Sequence, residues 1–241
     1  MGFSDRLINW YHRNRRTLPW RQTKDPYIIW LSEVILQQTR VDQGLPYFHR
    51  FLERFPDVTT LAEASEDEVL LLWQGLGYYA RARNMHQTAK AVAHHFQGVF
   101  PSSYDTLIRL KGIGEYTAAA ISSFAADEPR AVVDGNVFRV LARYFGIDTP
   151  INSSAGKKMF LQLANELLDD RRPGLNNQAI MEFGAIHCRP RNPDCGSCIF
   201  RPDCRALAEE RVDQLPVKTK ARDSRNRYFH YFVVSEGDKV A

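Results

Sequence analysis

Four cysteines lie close together in the segment CRPRNPDCGSCIFRPDC. They are Cys188, Cys195, Cys198 and Cys204, and their spacing is C-x6-C-x2-C-x5-C. Cysteines that only fill a core are not expected to cluster in the sequence, and disulfides are rare in cytosolic chains. Clustered thiolates bind soft metals, so the pattern indicates a zinc site or an iron–sulfur cluster. Zinc ribbons usually present two separated CxxC pairs and this chain has one, which favours the cluster.

Arginine is the main cation of the chain. It supplies 24 of the 32 basic residues, although the net charge is only +4. Its planar guanidinium suits bidentate contacts to phosphate. Arg189 and Arg191 lie in the loop between the first two cysteines, where a phosphate could be met. They could equally serve only to solvate that loop, so the basic residues alone do not separate nucleic-acid binding from an exposed charged face.

A single carboxylate interrupts the apolar run IIWLSEVILQQT. It belongs to Glu33, whose neighbours at helical spacing are Ile29, Trp30, Leu36 and Gln37. Burial disfavours the charged form, which raises the pKa of a carboxyl group and makes it a proton donor near neutral pH. The alternative is a surface glutamate at a helix boundary. The apolar neighbours favour a buried acid.

A second carboxylate, Asp134, directly precedes a predicted helix in the segment AVVDGNVFRVLARYF. Aspartate is common as an N-cap, because its side chain accepts hydrogen bonds from the free N–H groups of the first turn. Capping needs no further function. A capping carboxylate can also take part in chemistry, so both roles can hold at once.

The segment LKGIGEYTAAAI places two glycines ahead of a helix-forming run of alanines. Gly112 and Gly114 permit positive φ and close backbone approach. The turn ends at a helix N-terminus, where free N–H groups favour an anion. With helices predicted over 105–110 and 115–125, the segment forms a helix–hairpin–helix that would hold a phosphate without reading base sequence. A simple helix–helix turn is the commoner meaning of a G-x-G pattern.

The periodicity is helical along most of the chain. Apolar residues recur at three- and four-residue spacing, Thr60 and Ser65 are candidate N-caps, and Gly75–Gly77 is a break. No clear strand alternation precedes residue 227, so the predicted fold class is all-α. No apolar run approaches the roughly 20 residues of a membrane span. Nothing resembles a signal peptide, which predicts a cytosolic protein without membrane contact.

The composition changes at 211–227, which is polar, basic and proline-containing and is typical of a linker. The segment YFHYFVV that follows predicts one strand, and SEGDK at 235–239 predicts a turn. A lone strand and turn are marginal in water. Residues 228–241 are therefore interpreted as the truncated start of a β-rich domain.

Three segments, WLSEVILQQTRV, LWQGLGYYARARN and VDGNVFRVLARYF, resemble the adenine DNA glycosylases known as MutY, a branch of the helix–hairpin–helix DNA glycosylase superfamily. The resemblance runs from about residue 8 to the end of the chain. It implies two helical lobes flanking a DNA-binding cleft, and a [4Fe–4S] cluster on the four cysteines. The implied partner is double-stranded DNA with an A:8-oxoguanine or A:G mispair. The expected protein is a monomer in the bacterial cytoplasm, associated with the nucleoid.

The resemblance also divides the chain into parts. They are an N-terminal helix at 1–20 that packs on the cluster lobe, a six-helix barrel with the hairpin at 21–133, the iron–sulfur lobe at 134–210, a linker at 211–227, and the start of a Nudix-like β domain at 228–241.

The resemblance assigns the chemistry to two carboxylates. Glu33 would protonate N7 of adenine, and ionised Asp134 would stabilise the oxocarbenium-like sugar or capture it, with Tyr116 and Asn136 beside them. The positions that match the adenine pocket are Arg16, Leu18, Trp20, Arg21 and Gln178.

The base must leave the DNA stack before chemistry can reach it. Gln38 and Tyr78 match residues that enter the stack, while the glycines Gly112 and Gly114 of the hairpin would contact the DNA backbone. Aromatic residues in helical proteins usually belong to the core, which is the alternative for Tyr78 as it is for Trp20.

Tyr116 separates two activities. In the endonuclease III branch the matching position is a lysine that attacks the sugar as an amine and then cuts the strand. A tyrosine cannot form a Schiff base, so a monofunctional glycosylase is predicted. An endonuclease III-like glycosylase/lyase would need a lysine at this position. A non-catalytic iron–sulfur DNA-binding protein would have no use for Glu33 and Asp134 together.

Overall fold

The computed structural model describes residues 2–219, 228, 235–236 and 239–240. Over this part of the chain the fold is almost entirely helical, as predicted. Residues Pro19–Arg21 form a 3₁₀ turn, and Phe183–His187 form a π-helical segment. The α-helices are α1 (Phe3–Asn14), α2 (Pro26–Leu36), α3 (Val41–Arg54), α4 (Val58–Glu63), α5 (Glu66–Trp73), α6 (Ala80–His95), α7 (Tyr104–Leu107), α8 (Glu115–Ala126), α9 (Gly135–Phe145), α10 (Ser154–Glu166), α11 (Pro173–Glu182) and α12 (Arg205–Ala208).

Two separate hydrophobic cores organise these helices into two lobes. The first core buries Trp30, Phe51 and Trp73 among the helices from α2 to α8. The second buries Tyr11 and Phe160 among helices that include α1, α9 and α10. Since α1 packs against α11, the start of the chain joins the second lobe. Each large apolar side chain that is removed from water stabilises its lobe by roughly 1.5–3 kcal/mol.

Local capping follows the sequence at some helix ends and departs from it at others. The side chain of Ser65 accepts a hydrogen bond from the backbone of Glu68 and caps α5, as predicted. The prediction for Thr60 was wrong, because Asp57 is the N-cap of α4. Thr60 is the third helical residue, and its backbone N–H donates to Asp57 at 2.8 Å in a capping box. The predicted break between α5 and α6 is present.

The hairpin differs from its prediction in two respects. Helix α7 is shorter than the predicted 105–110. It ends at Leu107, and the chain continues in turns. Gly112 has φ of +80°, and a Cβ there would lie 2.8 Å from the Cβ of Asn84. Gly114 does not have positive φ. It is the extended N-cap of α8, with φ of −91° and open space around it.

The segment after α12 packs on the second lobe over residues 211–219. Leu215 is buried, and the backbone N–H of Ile151 donates to the carbonyl of Val217 at 3.0 Å. No helix in the described part of the chain is long and apolar enough to cross a membrane.

A short antiparallel pair of strands lies near the end of the chain. Strand β1 (Ser235–Glu236) pairs with β2 (Lys239–Val240), with Ser235 opposite Val240. The predicted turn over 235–239 was therefore too long, since both of its ends take part in the ladder. Tyr228 is exposed. The rest of the predicted strand, 229–234, lies outside the described residues.

Candidate active site

A cleft of about 850 Å³ is lined by residues of both lobes. Helices α2 and α8 of the first lobe and α9 and α11 of the second contribute to its wall. The cleft brings ten of the predicted site residues together: Arg16, Leu18, Trp20, Arg21, Glu33, Gln38, Tyr116, Asp134, Asn136 and Gln178. The predicted DNA contacts Tyr78, Gly112, Gly114, Arg189 and Arg191 lie outside this lining, as do the four cysteines.

Glu33 lies in the wall of the cleft on α2, a helix whose other residues are mostly buried. Asp25 caps this helix, and Pro26 occupies its first position, where a missing N–H does no harm. Burial raises the pKa of Glu33 from 4.5 to about 7, and the nearby charge of Asp134 adds to the rise. A hydrogen bond from Tyr116 and the charge of Arg21 oppose it. The carboxyl group is therefore protonated in a large fraction of molecules at neutral pH.

Asp134 is the N-cap of α9 and accepts three hydrogen bonds. The backbone N–H groups of Asn136 and Val137 donate to one carboxylate oxygen, each at 2.8 Å, and Nδ2 of Asn136 donates to the other at 2.7 Å. Burial raises the pKa of Asp134, and these hydrogen bonds oppose that rise. Because all three donors favour the anion, Asp134 is the carboxylate of the pair that stays ionised more readily.

Tyr116 is the second residue of α8, where the hairpin aims it into the cleft. Burial raises the pKa of its phenol well above 10, and the carboxylates of Glu33 and Asp134 add to the rise. The phenol therefore keeps its proton and donates a hydrogen bond to Glu33.

Glu182 was missed by the sequence analysis, although it lines the cleft. It is fully buried at the end of α11 and binds Arg16 and Arg21, each through a guanidinium nitrogen 2.8 Å from its Oε2. Burial alone would raise its pKa, but the hydrogen bonds from both arginines outweigh it and hold the pKa at about 2. The signal was available, since Glu182 is a single charge in the apolar segment AIMEFGAI, as Glu33 is in its own.

The remaining pocket positions form an apolar wall with one amide. Leu18 and Trp20 are buried, and the indole of Trp20 meets the ring of Phe48 edge-on at 5.1 Å. Tyr11 donates from its hydroxyl to Oε1 of Gln178 at 2.8 Å, which orients that amide. A flat apolar wall beside oriented polar groups suits an aromatic base.

Gln38 and Tyr78 lie on two exposed loops. Gln38 follows α2 with φ of 54°, and Tyr78 precedes α6 with φ of 48°. The side chain of Tyr78 is 68% exposed, so it does not belong to the core. Left-handed backbone at residues other than glycine concentrates at functional sites.

The four cysteines are free and half-buried around the loop that joins the π-helical segment to α12. Nη1 of Arg143 donates to the sulfur of Cys188 at 3.5 Å, and the backbone N–H of Phe200 donates to the sulfur of Cys198 at 3.4 Å. Donors aimed at sulfur fit ligands of an iron–sulfur cluster. Among the described residues, no three His, Cys, Asp or Glu side chains form a group that could hold a metal ion.

Arg189 and Arg191 are exposed on the same loop. Nη2 of Arg189 donates to the carbonyl of Asn192 at 3.0 Å.

Residues 31–167 match the family described as HhH-GPD superfamily base excision DNA repair protein. The chain belongs to this superfamily. A relative from Buchnera aphidicola subsp. Baizongia pistaciae, named adenine DNA glycosylase, is 38% identical over 96% of this chain and 66% of its own length. A human adenine DNA glycosylase is 40% identical over 88% of this chain and 40% of its own length.

These matches confirm the resemblance to the adenine DNA glycosylases. The chain spans about two thirds of the length of the bacterial relative and less than half of the human one. A solved thermostable thymine-DNA glycosylase superposes with a TM-score of 0.79 at 28% identity and covers 86% of this chain and 95% of its own. An endonuclease III–DNA complex, at 20% identity and a TM-score of 0.71, shares the fold.

Proposed function

We propose that this member of the superfamily is a monofunctional glycosylase that excises adenine paired with 8-oxoguanine or guanine in double-stranded DNA. The observation that carries the proposal is the pair of unlike carboxylates in one cleft. Glu33 has a pKa of about 7 and accepts one side-chain hydrogen bond, whereas Asp134 accepts three. Adenine as the excised base rests on the names of the relatives.

Glu33 is the general acid in this mechanism. Its carboxyl proton goes to N7 of the flipped adenine, which makes the base a better leaving group. A general acid works best when its pKa is near the working pH, which the burial of Glu33 achieves. The neutral phenol of Tyr116 keeps the acid oriented, because it donates to Glu33.

Asp134 acts on the sugar. When the glycosidic bond breaks, the electron pair leaves with adenine and positive charge develops at C1′. An ionised carboxylate whose hydrogen bonds are already formed stabilises that charge with little reorganisation. Asn136 holds this carboxylate through both its backbone and its side-chain amide. Water then completes the hydrolysis, and the product is an abasic site.

Tyr116 favours this activity over that of a glycosylase/lyase. Strand cleavage of the endonuclease III type starts with attack of a lysine amine on the sugar, and no Schiff base can form at a phenol. The raised pKa of Tyr116 also keeps it neutral, so it is a poor nucleophile.

Base flipping and backbone contacts are assigned to Gln38 in the cleft lining and to groups outside the cleft. Gln38 and the exposed Tyr78 would enter the DNA stack. Unstacking and unpairing the target base costs a few kcal/mol, and side chains that fill the stack would support the flipped base. The hairpin at Gly112 and Gly114 leads into the N-terminus of α8, whose free N–H groups suit a phosphate. Arg189 and Arg191 would add cationic contacts.

We also propose that Cys188, Cys195, Cys198 and Cys204 hold a [4Fe–4S] cluster. The four thiols and the donors aimed at two of their sulfurs support it, and superfamily members of this type generally bind such clusters. When bound, the cluster would order the loop that carries Arg189. Iron near four atoms per chain in elemental analysis is the expected result. Stoichiometric zinc without iron would contradict it.

A single-turnover assay on duplexes with A:8-oxoguanine and A:G mispairs tests the proposed activity. Free adenine should appear with both, and the strand should stay intact until alkali cleaves the abasic site. A cut strand without alkali, together with a covalent complex trapped by borohydride, would favour the endonuclease III-like alternative. Duplex binding without release of any base would favour a non-catalytic DNA-binding protein.

A further inference from the structure

Arg81, the second residue of α6, closes the C-terminal end of α2, the helix that carries Glu33. Its Nη1 donates to the main-chain carbonyls of Val34 at 3.0 Å, Ile35 at 3.3 Å and Gln37 at 2.5 Å. The last carbonyls of a helix have no partner within it, and a cation there also interacts favourably with the helix dipole. Arg81 therefore caps α2 from a distant part of the chain.

The same guanidinium reaches the turn between α5 and α6. Its Nη2 lies 3.5 Å from the carbonyl oxygen of Leu76. Its Cζ lies over the rings of Trp73 at 5.1 Å and Tyr78 at 5.6 Å, within the range of cation–π attraction. The indole of Trp73 donates to the carbonyl of Gly77 at 2.9 Å, so the peptide that precedes Tyr78 is held as well.

These contacts act where the backbone is strained. Gln38 and Tyr78 both have φ in the left-handed region, which persists at residues other than glycine only when the surroundings hold it. The carbonyl of Gln37 belongs to the peptide that precedes Gln38. A hydrogen bond from Arg81 to this carbonyl therefore fixes the orientation of that peptide.

We infer that Arg81 is a positioning residue for opening the duplex, and that it sets the geometry of Gln38 and Tyr78 relative to each other. The inference rests on the proposed function, in which these two residues enter the DNA stack. Both loops must act on the same base pair, so a guanidinium that contacts both of them keeps their separation constant. Lysine cannot replace it, because one ammonium nitrogen cannot donate both to the α2 carbonyls that Nη1 reaches and to the carbonyl of Leu76 that Nη2 reaches.

The test monitors base unstacking directly. The full chain carries Glu33→Gln so that no base is excised, and the duplex carries the fluorescent adenine analogue 2-aminopurine opposite guanine. Fluorescence should rise when the Glu33→Gln protein binds, because the analogue leaves the stack. With Arg81→Lys added, most of this rise should be lost, while binding to the duplex at low salt persists through the phosphate contacts.

Excision provides the second readout. In the chain with Glu33 intact, Arg81→Lys should slow single-turnover release of adenine on the order of 100-fold, the effect of displacing a positioned group by about 1 Å. Arg83→Lys is the matched control, since Arg83 lies on the same helix with a side chain that is 51% exposed and pairs with Glu66 at 3.2 Å. It should retain both the fluorescence rise and the rate.

Three results would overturn the inference. An Arg81→Lys protein that keeps the full fluorescence rise would remove Arg81 from duplex opening and leave the proposed function standing. A melting temperature so low that Arg81→Lys no longer binds any duplex would assign Arg81 to the stability of the fold. If the Glu33→Gln protein itself gives no rise, the proposed function fails and the inference fails with it.

Discussion

Asn136 in the cleft and Cys188 in the cysteine segment are joined by one side chain. Nη2 of Arg139 donates to Oδ1 of Asn136 at 2.7 Å, and its Nε donates to the carbonyl of Cys188 at 2.8 Å. Asn136 in turn donates to the carboxylate of Asp134. Hydrogen bonds thus run without interruption from the first cysteine to the carboxylate that is proposed to stabilise the sugar cation.

This path predicts that Arg139→Gln slows adenine excision. Without the guanidinium, the amide of Asn136 is free to rotate and Asp134 loses a fixed donor. Hydrogen bonds to charged groups contribute about 1.5–3 kcal/mol, which corresponds to roughly ten- to more than hundred-fold in rate. Single-turnover rates at saturating protein measure the effect. Arg171→Gln, at an arginine whose side chain is 85% exposed, is the control and should react at the wild-type rate. Equal rates for both variants would mean that the path does not act on Asp134.

The pH dependence of excision should be bell-shaped. Glu33 must be protonated, so the rate should fall as pH rises above about 7. Asp134 must be ionised, so the rate should also fall on the acid side, as pH drops through a pKa that burial raises from 3.8. Single-turnover rates measured on both sides of pH 7 report the two limbs. Glu33→Gln should abolish excision and leave duplex binding nearly intact. A rate that does not change between pH 6 and about 9 would exclude Glu33 as the acid.

Replacing the acid should stabilise the protein at alkaline pH. The folded pKa of Glu33, about 7, lies above its unfolded value of 4.5, so the folded state binds the proton more tightly and stability falls as pH rises between these values. Glutamine carries no such penalty. At pH 8, Glu33→Gln should raise the free energy of unfolding by about 3 kcal/mol, since each unit of the gap between the two pKa values corresponds to about 1.4 kcal/mol.

Near pH 4.5 the two proteins should unfold with similar free energies, because Glu33 is protonated in the folded wild type and about half protonated in the unfolded state. Urea titrations at both pH values measure the difference. A difference in unfolding free energy of the same size at both pH values would show that the substitution acts through packing instead of protonation.

Glu182→Gln should have the opposite effect. Glu182 is fully buried, and its loss leaves Arg16 and Arg21 without their shared anion. Breaking a buried pair costs 3–5 kcal/mol, and about 3 kcal/mol is expected here because the side chain of Arg16 is 39% exposed. The folded pKa of about 2 lies below the unfolded 4.5, so the wild-type advantage should be present at neutral pH and disappear as pH falls through about 2.

Glu209→Gln is the control for that measurement. Glu209 is an exposed partner of Arg211, and exposed ion pairs contribute about 0–1 kcal/mol. Equal unfolding free energies for the two variants at neutral pH would mean that the anion at Glu182 does not stabilise the fold.

Local patterns were sufficient to single out the two carboxylates of the candidate site, whereas its pocket positions came from the resemblance to a known family. The position of Asp134 before a helix predicted its capping role, and the lone charge of Glu33 in an apolar run predicted its raised pKa. Capping depends on neighbours within about one helical turn, and the apolar neighbours of Glu33 on its own helix indicate its burial, so both can be read from spacing. The groups that adjust the pKa of Glu33, namely Tyr116, Asp134 and Arg21, come from other parts of the chain. The same reasoning placed Tyr116 just inside α8.

Contacts between distant residues could not be read in this way. Arg16 and Glu182 are 166 residues apart in the chain, and Arg81 and Gln37 are 44 apart. Each pair meets because the packing of helices brings a charged group to a partner that no local period specifies. The packing also placed Leu215, in a stretch with the composition of a linker, in the second core. Spacing identifies groups that a helix presents together, whereas a buried charge takes its partner from whichever element folding brings within hydrogen-bonding distance.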